Sequence, residues 1–587
     1  MTAQRLQRCT LVLALLLILT LTPTPGAQAQ ARDSRFGLVE AFWDPGAAYE
    51  SGAGWERILF YWSEIQPNGP DEWNTLHVLE EWLDGARAAG REVIGVLKNT
   101  PGWATDGEPY SGVPRGLYLP MDDPGNLWAN FVRQAVSYYG ERGVNRWVIW
   151  NEPDIAPGVY GHEWGGTMED YYRLLQVAYL AAHEVNPNVQ IHLGGMTYWH
   201  DTGWFNRFLS MVAADPTAPA NNYYFDVVTL HLYFVSDRVY DIVSNHYYTM
   251  QLYGINKPIW INETNARPGI EPHQYPPGLR FTDHDFPNIT VENQASFIIQ
   301  SFALGFAAGA ERIAVYKLHD GALPPGDPQA WGLIRLDGTR RPAFDAYRIV
   351  TETFAGFVYA RRMPSDLADY VRLTHPNRVT HIAWARTAQS TTLAIPARTE
   401  QATLIDQAGN RETVFPEGGV YLLELPGAEC TDPVRGCIIG GWTYLLVEEG
   451  LTDPLSEEAS GPYVAGVGEM TAEEAAPEET PAGDEEAGGE TTPEEGSEAS
   501  LAPAVTLTLT PAPMETPTVT PPPTDTPTPE PTPVASPSPE PTPVPLTSPG
   551  SSSWAPFALI GLGAVVIVGG GVYWVITRRS GSSSSEG

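Results

Sequence analysis

Between residues 36 and 354 short apolar runs alternate with longer stretches in which apolar residues recur every three or four positions. The runs at 36–42, 57–62, 92–97, 146–150, 189–193, 226–231, 258–261 and 312–316 predict eight strands buried on both faces. Leu76, Leu79, Trp82, Leu83 and Ala86 fall at helical spacing and predict a helix over 74–89. A second is expected over 167–184, with Thr167 and Asp170 placed as a capping pair, and a third, apolar nearly all round, over 293–308. The first helix has room only between Asp44 and Gly54 and must be very short.

Eight such β/α units predict an α/β fold, a (β/α)8 TIM barrel spanning 35–355. A doubly wound sheet is the architectural alternative, though no Gly-rich phosphate loop follows any of the runs. Past the barrel the pattern changes: alternating segments at 379–384, 391–395 and 419–425, separated by Gly, Pro and Asn, predict a small all-β domain over 356–447.

The flanks are unlike either domain. Residues 1–29 carry Arg5 and Arg8, an apolar run from Leu11 to Leu21 and the small-residue site Ala27-Gln28-Ala29, which reads as a signal peptide, with an uncleaved anchor as the alternative. The segment 448–500 is acidic and expected to be disordered; its stretch 451–500 holds fifteen Asp and Glu and no Lys or Arg. Seventeen Pro and twelve Thr in 501–550 place a stiff stalk at 501–553, a candidate for O-glycosylation. The uncharged apolar stretch 554–577, followed by Arg578-Arg579 in a short tail at 578–587, reads as a transmembrane helix with the barrel outside the cell; a cleaved sorting tail is the alternative.

A formal charge of −36 over 587 residues argues against a nucleic-acid partner, although the acidic segment holds much of it. Cys9 falls in the signal peptide. Cys430 and Cys437 lie seven residues apart around Pro433 and Gly436, spacing that suits a disulfide in an oxidising compartment, with two free thiols as the alternative. Metal-type Cys/His spacing is absent, and Asp283-His284-Asp285, in a long loop, reads as a solvated turn rather than a metal site.

Two of the runs stop in the same way. Trp147-Val148-Ile149-Trp150 ends at Asn151-Glu152-Pro153, and Ile259-Trp260-Ile261 ends at Asn262-Glu263-Thr264. On a closed parallel barrel both carboxylates would sit at the C-terminal mouth, where they can converge. Paired carboxylates at that spacing are the chemistry of glycoside hydrolysis, one protonating the leaving oxygen and the other attacking the sugar.

Trp150-Asn151-Glu152-Pro153 and Trp260-Ile261-Asn262-Glu263-Thr264 resemble the acid/base and nucleophile motifs of retaining glycoside hydrolases of clan A. Thr100-Pro101-Gly102-Trp103-Ala104, His231-Leu232-Tyr233, and Gly332-Leu333-Ile334 with Arg341-Pro342-Ala343 are also similar to segments common there. The overall pattern is most like family 39 and its relatives, which include β-xylosidases, iduronidases and bacterial exopolysaccharide hydrolases. The resemblance implies Glu152 as acid/base, Glu263 as nucleophile, Asn151 as a donor to the sugar 2-hydroxyl, and Tyr233 as a hydrogen-bond partner of Glu263. It also implies His231 in the floor of the site. Arg57 would add a cation near the nucleophile, and Trp103 would stack on sugar; Trp62, Trp164, Trp199 and Trp331 are as readily core as sugar platforms. One departure stands out: the eighth run ends in Tyr316, where many clan members have Trp.

The expectation is therefore an extracellular, membrane-anchored retaining glycoside hydrolase with a carbohydrate substrate, no cofactor and no metal. A non-catalytic carbohydrate-binding surface protein, or an adhesin on a barrel scaffold, is the alternative; a binder would need the aromatic walls but not both acids.

Overall fold

The computed structural model describes residues 32–456 except 160, 270–286, 288, 322–329 and 431–435, and the backbone of 567–568 and 571–572. Eight strands form one parallel sheet: β1 (Phe36–Val39), β2 (Trp55–Tyr61), β3 (Glu92–Lys98), β4 (Arg146–Ile149), β5 (Gln190–His192), β6 (Val228–Tyr233), β7 (Ile259–Asn265) and β8 (Arg312–Val315). Their order is β5-β4-β3-β2-β1-β8-β7-β6. Parallel bridges His192↔Val227 and Met196↔Leu230 join the two ends, so the sheet closes into a barrel.

Around it lie α1 (Pro45–Glu50), α2 (Trp62–Ile65), α3 (Glu80–Ala88), α4 (Leu127–Gly140), α5 (Met168–Val185), α6 (Trp204–Ala214), α7 (Val239–Leu252), α8 (Val291–Ala307) and α9 (Pro342–Thr353). Thr167 and Asp170 form a reciprocal capping box at the start of α5. The helix predicted at 74–89 begins only at Glu80. Upstream, the Asn74 side chain holds a tight turn on the Leu76 amide, and buried His77 accepts the Tyr61 amide at 3.0 Å. Leu76 is left 76% exposed, so the helical spacing there carries no buried face.

Two apolar layers follow from strand alternation. Val39, Trp55, Ile94, Val96, Val148, Val227, Trp260 and Ala314 fill the barrel interior. Their alternates, such as Ile58, Phe60, Trp147, Ile149, Leu230, Ile261 and Ile313, pack outward under the helices. β7 breaks the alternation. Leu230 pairs with Ile261, but His231 pairs with Glu263, so Asn262 is a bulged extra residue. Without the bulge Glu263 would share the outward side of Ile261; with it, the carboxylate turns inward.

The β domain has strands β9 (Tyr359–Arg362), β10 (Ala368–Thr374), β11 (Arg378–Ala385), β12 (Thr391–Pro396), β13 (Ala402–Asp406), β14 (Arg411–Val414), β15 (Val420–Leu425) and β16 (Tyr444–Glu449). All pairs are antiparallel, in a six-stranded sheet ordered β14-β13-β16-β11-β10-β9 and a separate β12-β15 pair. It packs on α8, which is buried at every position from Asn293 to Phe306. Gln300 of α8 donates to the Gly441 carbonyl and the Thr443 hydroxyl, both at 3.0 Å, and accepts from the Gly440 amide and the Ser236 hydroxyl. Cys430 and Cys437 are disulfide-bonded.

Among the described residues no helix is long and apolar enough to cross a membrane. Of the span expected at 554–577 only Ile567–Val568 and Gly571–Val572 are described, as two-residue strands paired antiparallel. The rest of it lies outside the described residues, as do the signal peptide, most of the acidic segment, the stalk, the tail and Asp283-His284-Asp285.

Candidate active site

The site occupies the C-terminal mouth of the barrel. After β4 the chain takes left-handed backbone angles at Trp150 (φ 70°) and Glu152 (φ 47°), unusual for side chains of this size. Three bonds hold this turn: Trp150 N–H to the Leu97 carbonyl (2.9 Å), Glu152 N–H to the Gly195 carbonyl (3.0 Å) and the Trp150 indole to the Glu163 carbonyl (3.0 Å). Asp154 ties the same loop across to Thr197 and Tyr198. The result is a Glu152 carboxyl fixed over the barrel axis.

Glu263 reaches the same place from β7 by way of the Asn262 bulge. Oxygens of the two carboxylates and a ring nitrogen of His231 lie within 4.8 Å of one another. Arg57, pointing inward from β2 and fully buried, forms an ion pair with Glu263 Oε1. Its other arm reaches Asn151 Oδ1 at 3.5 Å and His231 Nε2 at 3.4 Å. Tyr233 donates its hydroxyl to Glu263 Oε2.

Because a guanidinium only donates, His231 Nε2 accepts, which assigns the ring proton to Nδ1. Nδ1 lies 2.7 Å from Glu152 Oε1 and 3.5 Å from Glu263 Oε2. His231 is thus wedged between the acids rather than lining a floor beneath them. Gly195 makes room for it: a methyl group there would sit 2.0 Å from Nε2.

These contacts separate the two acids. Burial pushes the Glu152 carboxyl up to about 7, with the charges of Glu263 and Glu163 adding to it and the His231 bond opposing it. Burial acts upward on Glu263 too, but the Arg57 guanidinium, His231 and the Tyr233 hydroxyl outweigh it and hold this carboxyl below its ordinary value. At neutral pH the pair therefore holds a proton-bearing Glu152 in part and an ionised Glu263. Glu152, His231 and Glu263 are also the set of metal-type donors that converges among the described residues. An added cation there would meet the Arg57 guanidinium already bound to Glu263, so the donor set is electrostatically occupied.

Tyr316 stands beside Tyr233 (6.2 Å between centroids) at the end of β8. The aromatic mass missing there is supplied from the following loop: Trp331 meets Tyr233 at 4.9 Å, Phe234 at 5.5 Å and Tyr316 at 5.9 Å. Trp103 is committed elsewhere, its indole donating to the Gln66 carbonyl at 2.7 Å and its ring meeting Trp62 edge-on. Trp62 and Trp164 are core, and Trp199 is exposed.

Four charged residues at the mouth were not singled out from sequence. Lys98, the last residue of β3, pairs with Glu163, and Lys317, just past β8, pairs with Glu40 at 2.9 Å. Their positions directly after strands are the signal that marks them. The loop carrying Glu163 also presents Pro157, His162 and Gly165 to a cavity of about 750 Å³, walled on the other side by residues 106–119.

No protein-family model matches the chain, and no curated protein matches it. Solved structures do. A family 39 glycoside hydrolase from the gut symbiont Bacteroides cellulosilyticus is 16% identical over 71% of this chain and 81% of its own, with a TM-score of 0.54. A monomeric β-xylosidase from Caulobacter crescentus is 15% identical over 73% and 98%, with a TM-score of 0.48. A family 30 endoxylanase from Clostridium papyrosolvens is 13% identical over 72% and 98%, with a TM-score of 0.47. At these identities the likeness is one of architecture: the fold is that of a clan A glycoside hydrolase barrel of the family 39 type.

Proposed function

We propose that this chain is a retaining glycoside hydrolase, cleaving O-glycosidic bonds of a polysaccharide or glycoconjugate by double displacement. The observation that carries the reading is the closeness of Glu152 and Glu263, whose carboxylate oxygens lie within 4.8 Å of each other at the barrel mouth. A direct nucleophile and its acid partner stand about 5–5.5 Å apart, whereas inversion needs about 6.5–9.5 Å to admit a water between them.

Glu263 attacks the anomeric carbon while Glu152 gives its proton to the departing glycosidic oxygen. The covalent glycosyl ester on Glu263 is then hydrolysed: Glu152, now ionised, takes a proton from water, whose oxygen bonds to the anomeric carbon and releases Glu263. Arg57 and Tyr233 keep Glu263 ionised and aimed, and burial keeps Glu152 protonated. Asn151, next to the acid and held by Arg57, is placed to meet the sugar 2-hydroxyl. Tyr316 and Trp331 offer rings to the sugar face.

The proposed location is the outer cell surface, with the enzyme exported by residues 1–29 and tethered by 554–577. Its support is the charge and hydropathy of those segments. The test is hydrolysis of a panel of aryl glycosides and polysaccharides by the chain, by Glu152→Ala and by Glu263→Ala. Activity in the chain and its loss in both variants is expected; unchanged turnover in both would sink the assignment.

A further inference from the structure

The mechanism uses Glu152, Glu263, Arg57, His231 and Tyr233, yet two more buried ion pairs border the same site. Lys98 and Glu163 are 4% and 19% exposed at the side chain, and Lys317 and Glu40 are 9% and 13%. In each pair the ammonium is the deeper partner, so the carboxylate is the group left open to the mouth. Glu40 is held there by a left-handed backbone (φ 55°) directly after β1.

The pairs belong to one cluster with the catalytic acids. Glu163 acts electrostatically on Glu152, and Glu40, Glu152 and Glu263 all act on the Tyr316 hydroxyl. Tyr61, at the end of β2, feels both Glu163 and Glu40, and the Lys98 ammonium lies 5.6 Å from its ring centre.

A carboxylate has about four lone-pair sites, and one lysine engages only part of them. What remains accepts hydrogen bonds and donates none. The complementary ligand is a hydroxyl donor, and a sugar ring supplies several. An anionic sugar would instead bring a further negative charge among Glu40, Glu152, Glu163 and Glu263. The three cations of this ring, Arg57, Lys98 and Lys317, each already face a carboxylate. Arg267 lies over the Trp331 ring, 5.6 Å from its centre.

We propose that Glu40 and Glu163 are the hydroxyl-reading groups of the site, and that the sugar it holds is therefore neutral, not a uronic acid or a sulfated residue. This rests on the glycosidase reading for its placement at the reacting sugar.

The experiment compares kcat/KM of the full chain on aryl glycosides of xylose, glucose, galactose and mannose, in both anomers, with aryl glucuronides and iduronides. A neutral substrate should exceed every uronide by about a hundredfold or more, the order expected when a buried carboxylate must accept a second charge. Glu40→Gln and Glu163→Gln should each cut kcat/KM on the best neutral substrate about ten- to hundredfold. Near-UV circular dichroism and melting check that both variants fold.

A uronide turned over as well as any neutral sugar overturns the inference, as do folded variants with unchanged kcat/KM. Binding separates this from the hydrolase reading. Saturation-transfer NMR on Glu263→Ala, with free neutral disaccharides and a uronate-containing one, should show neutral sugar bound and the signal lost when Glu40→Gln is added. That result without turnover by the parent chain would sink the hydrolase reading alone. Binding of the uronate, or of neither, would sink this inference.

Discussion

Arg57 is the residue on which the separation of the two acids depends, and its removal has a calculable effect. It is buried, ion-paired to Glu263, and in contact with Asn151 and His231. Arg57→Met keeps the volume and deletes the charge. Breaking a buried pair by removing one partner costs about 3–5 kcal/mol. If Glu263 escapes that cost by taking up a proton, its titration rises by about 2–3.5 pH units, at about 1.36 kcal/mol per unit. Glu263 must be ionised to attack, so activity exists above its titration point and is lost as pH falls through it. Glu152 must be protonated to donate, so activity is lost as pH rises through about 7. In the unmodified chain these limbs enclose a plateau. In Arg57→Met the acidic limb should climb to within roughly a unit of the basic one, leaving a narrow peak and about a thirty- to hundredfold loss at pH 5. The assay is kcat/KM on an activated aryl glycoside from pH 3 to 9, with melting curves to check folding. Arg57→Lys should shift the limb less, because it keeps the charge but not the fork. A folded Arg57→Met whose acidic limb stays in place would refute the electrostatic account of Glu263.

Three further changes probe the site and the barrel separately. Glu152→Gln should abolish the basic limb and lower kcat about 10²- to 10⁴-fold for poor leaving groups, with little effect on a dinitrophenyl glycoside; equal losses on both would contradict proton donation. Gly195→Ala puts a methyl group 2.0 Å from His231 Nε2 and must displace the ring. Glu152 then loses a bond that lowers its titration, so the basic limb should move up in pH while kcat falls, which a pH–rate profile reads directly. On β2, Glu56 is fully buried and held by Arg91 at 3.1 Å, with burial already pushing its carboxyl up. Arg91→Ala should cost about 3–5 kcal/mol in urea unfolding. A carboxyl titrating higher in the folded than in the unfolded state stabilises at low pH and loses that contribution as pH rises. The deficit should therefore grow from pH 5 to pH 8; a flat deficit would argue against an uncompensated Glu56.

Much of this geometry was legible in the amino-acid pattern. Apolar runs stopped by Asn-Glu were enough to place Glu152 and Glu263 at strand ends, since a strand's buried run and its breaker are local properties. The Asn262 bulge was not legible, because inward Trp260 and inward Glu263 are an odd number of residues apart and strict alternation puts them on opposite sides. His231 could be expected nearby but not between the acids; that place depends on Gly195, far away in sequence. Leu76 shows the opposite failure, a helical spacing overridden by turn bonds around Asn74 and His77. Glu40, Lys98, Glu163 and Lys317 look like ordinary solvated charges until the barrel closes and buries them together. Trp331 replaces the missing strand-end Trp from a loop, a substitution of position that only the folded chain reveals.

The central claim is a double displacement run by two adjacent carboxylates, and the configuration of the first-formed product tests it most directly. Proton NMR, recorded during hydrolysis of an aryl glycoside and before mutarotation, distinguishes the anomers of the released sugar. Retention, together with a glycosyl azide of retained configuration from Glu152→Ala in the presence of azide, is the predicted result. An inverted sugar from the unmodified chain would contradict it.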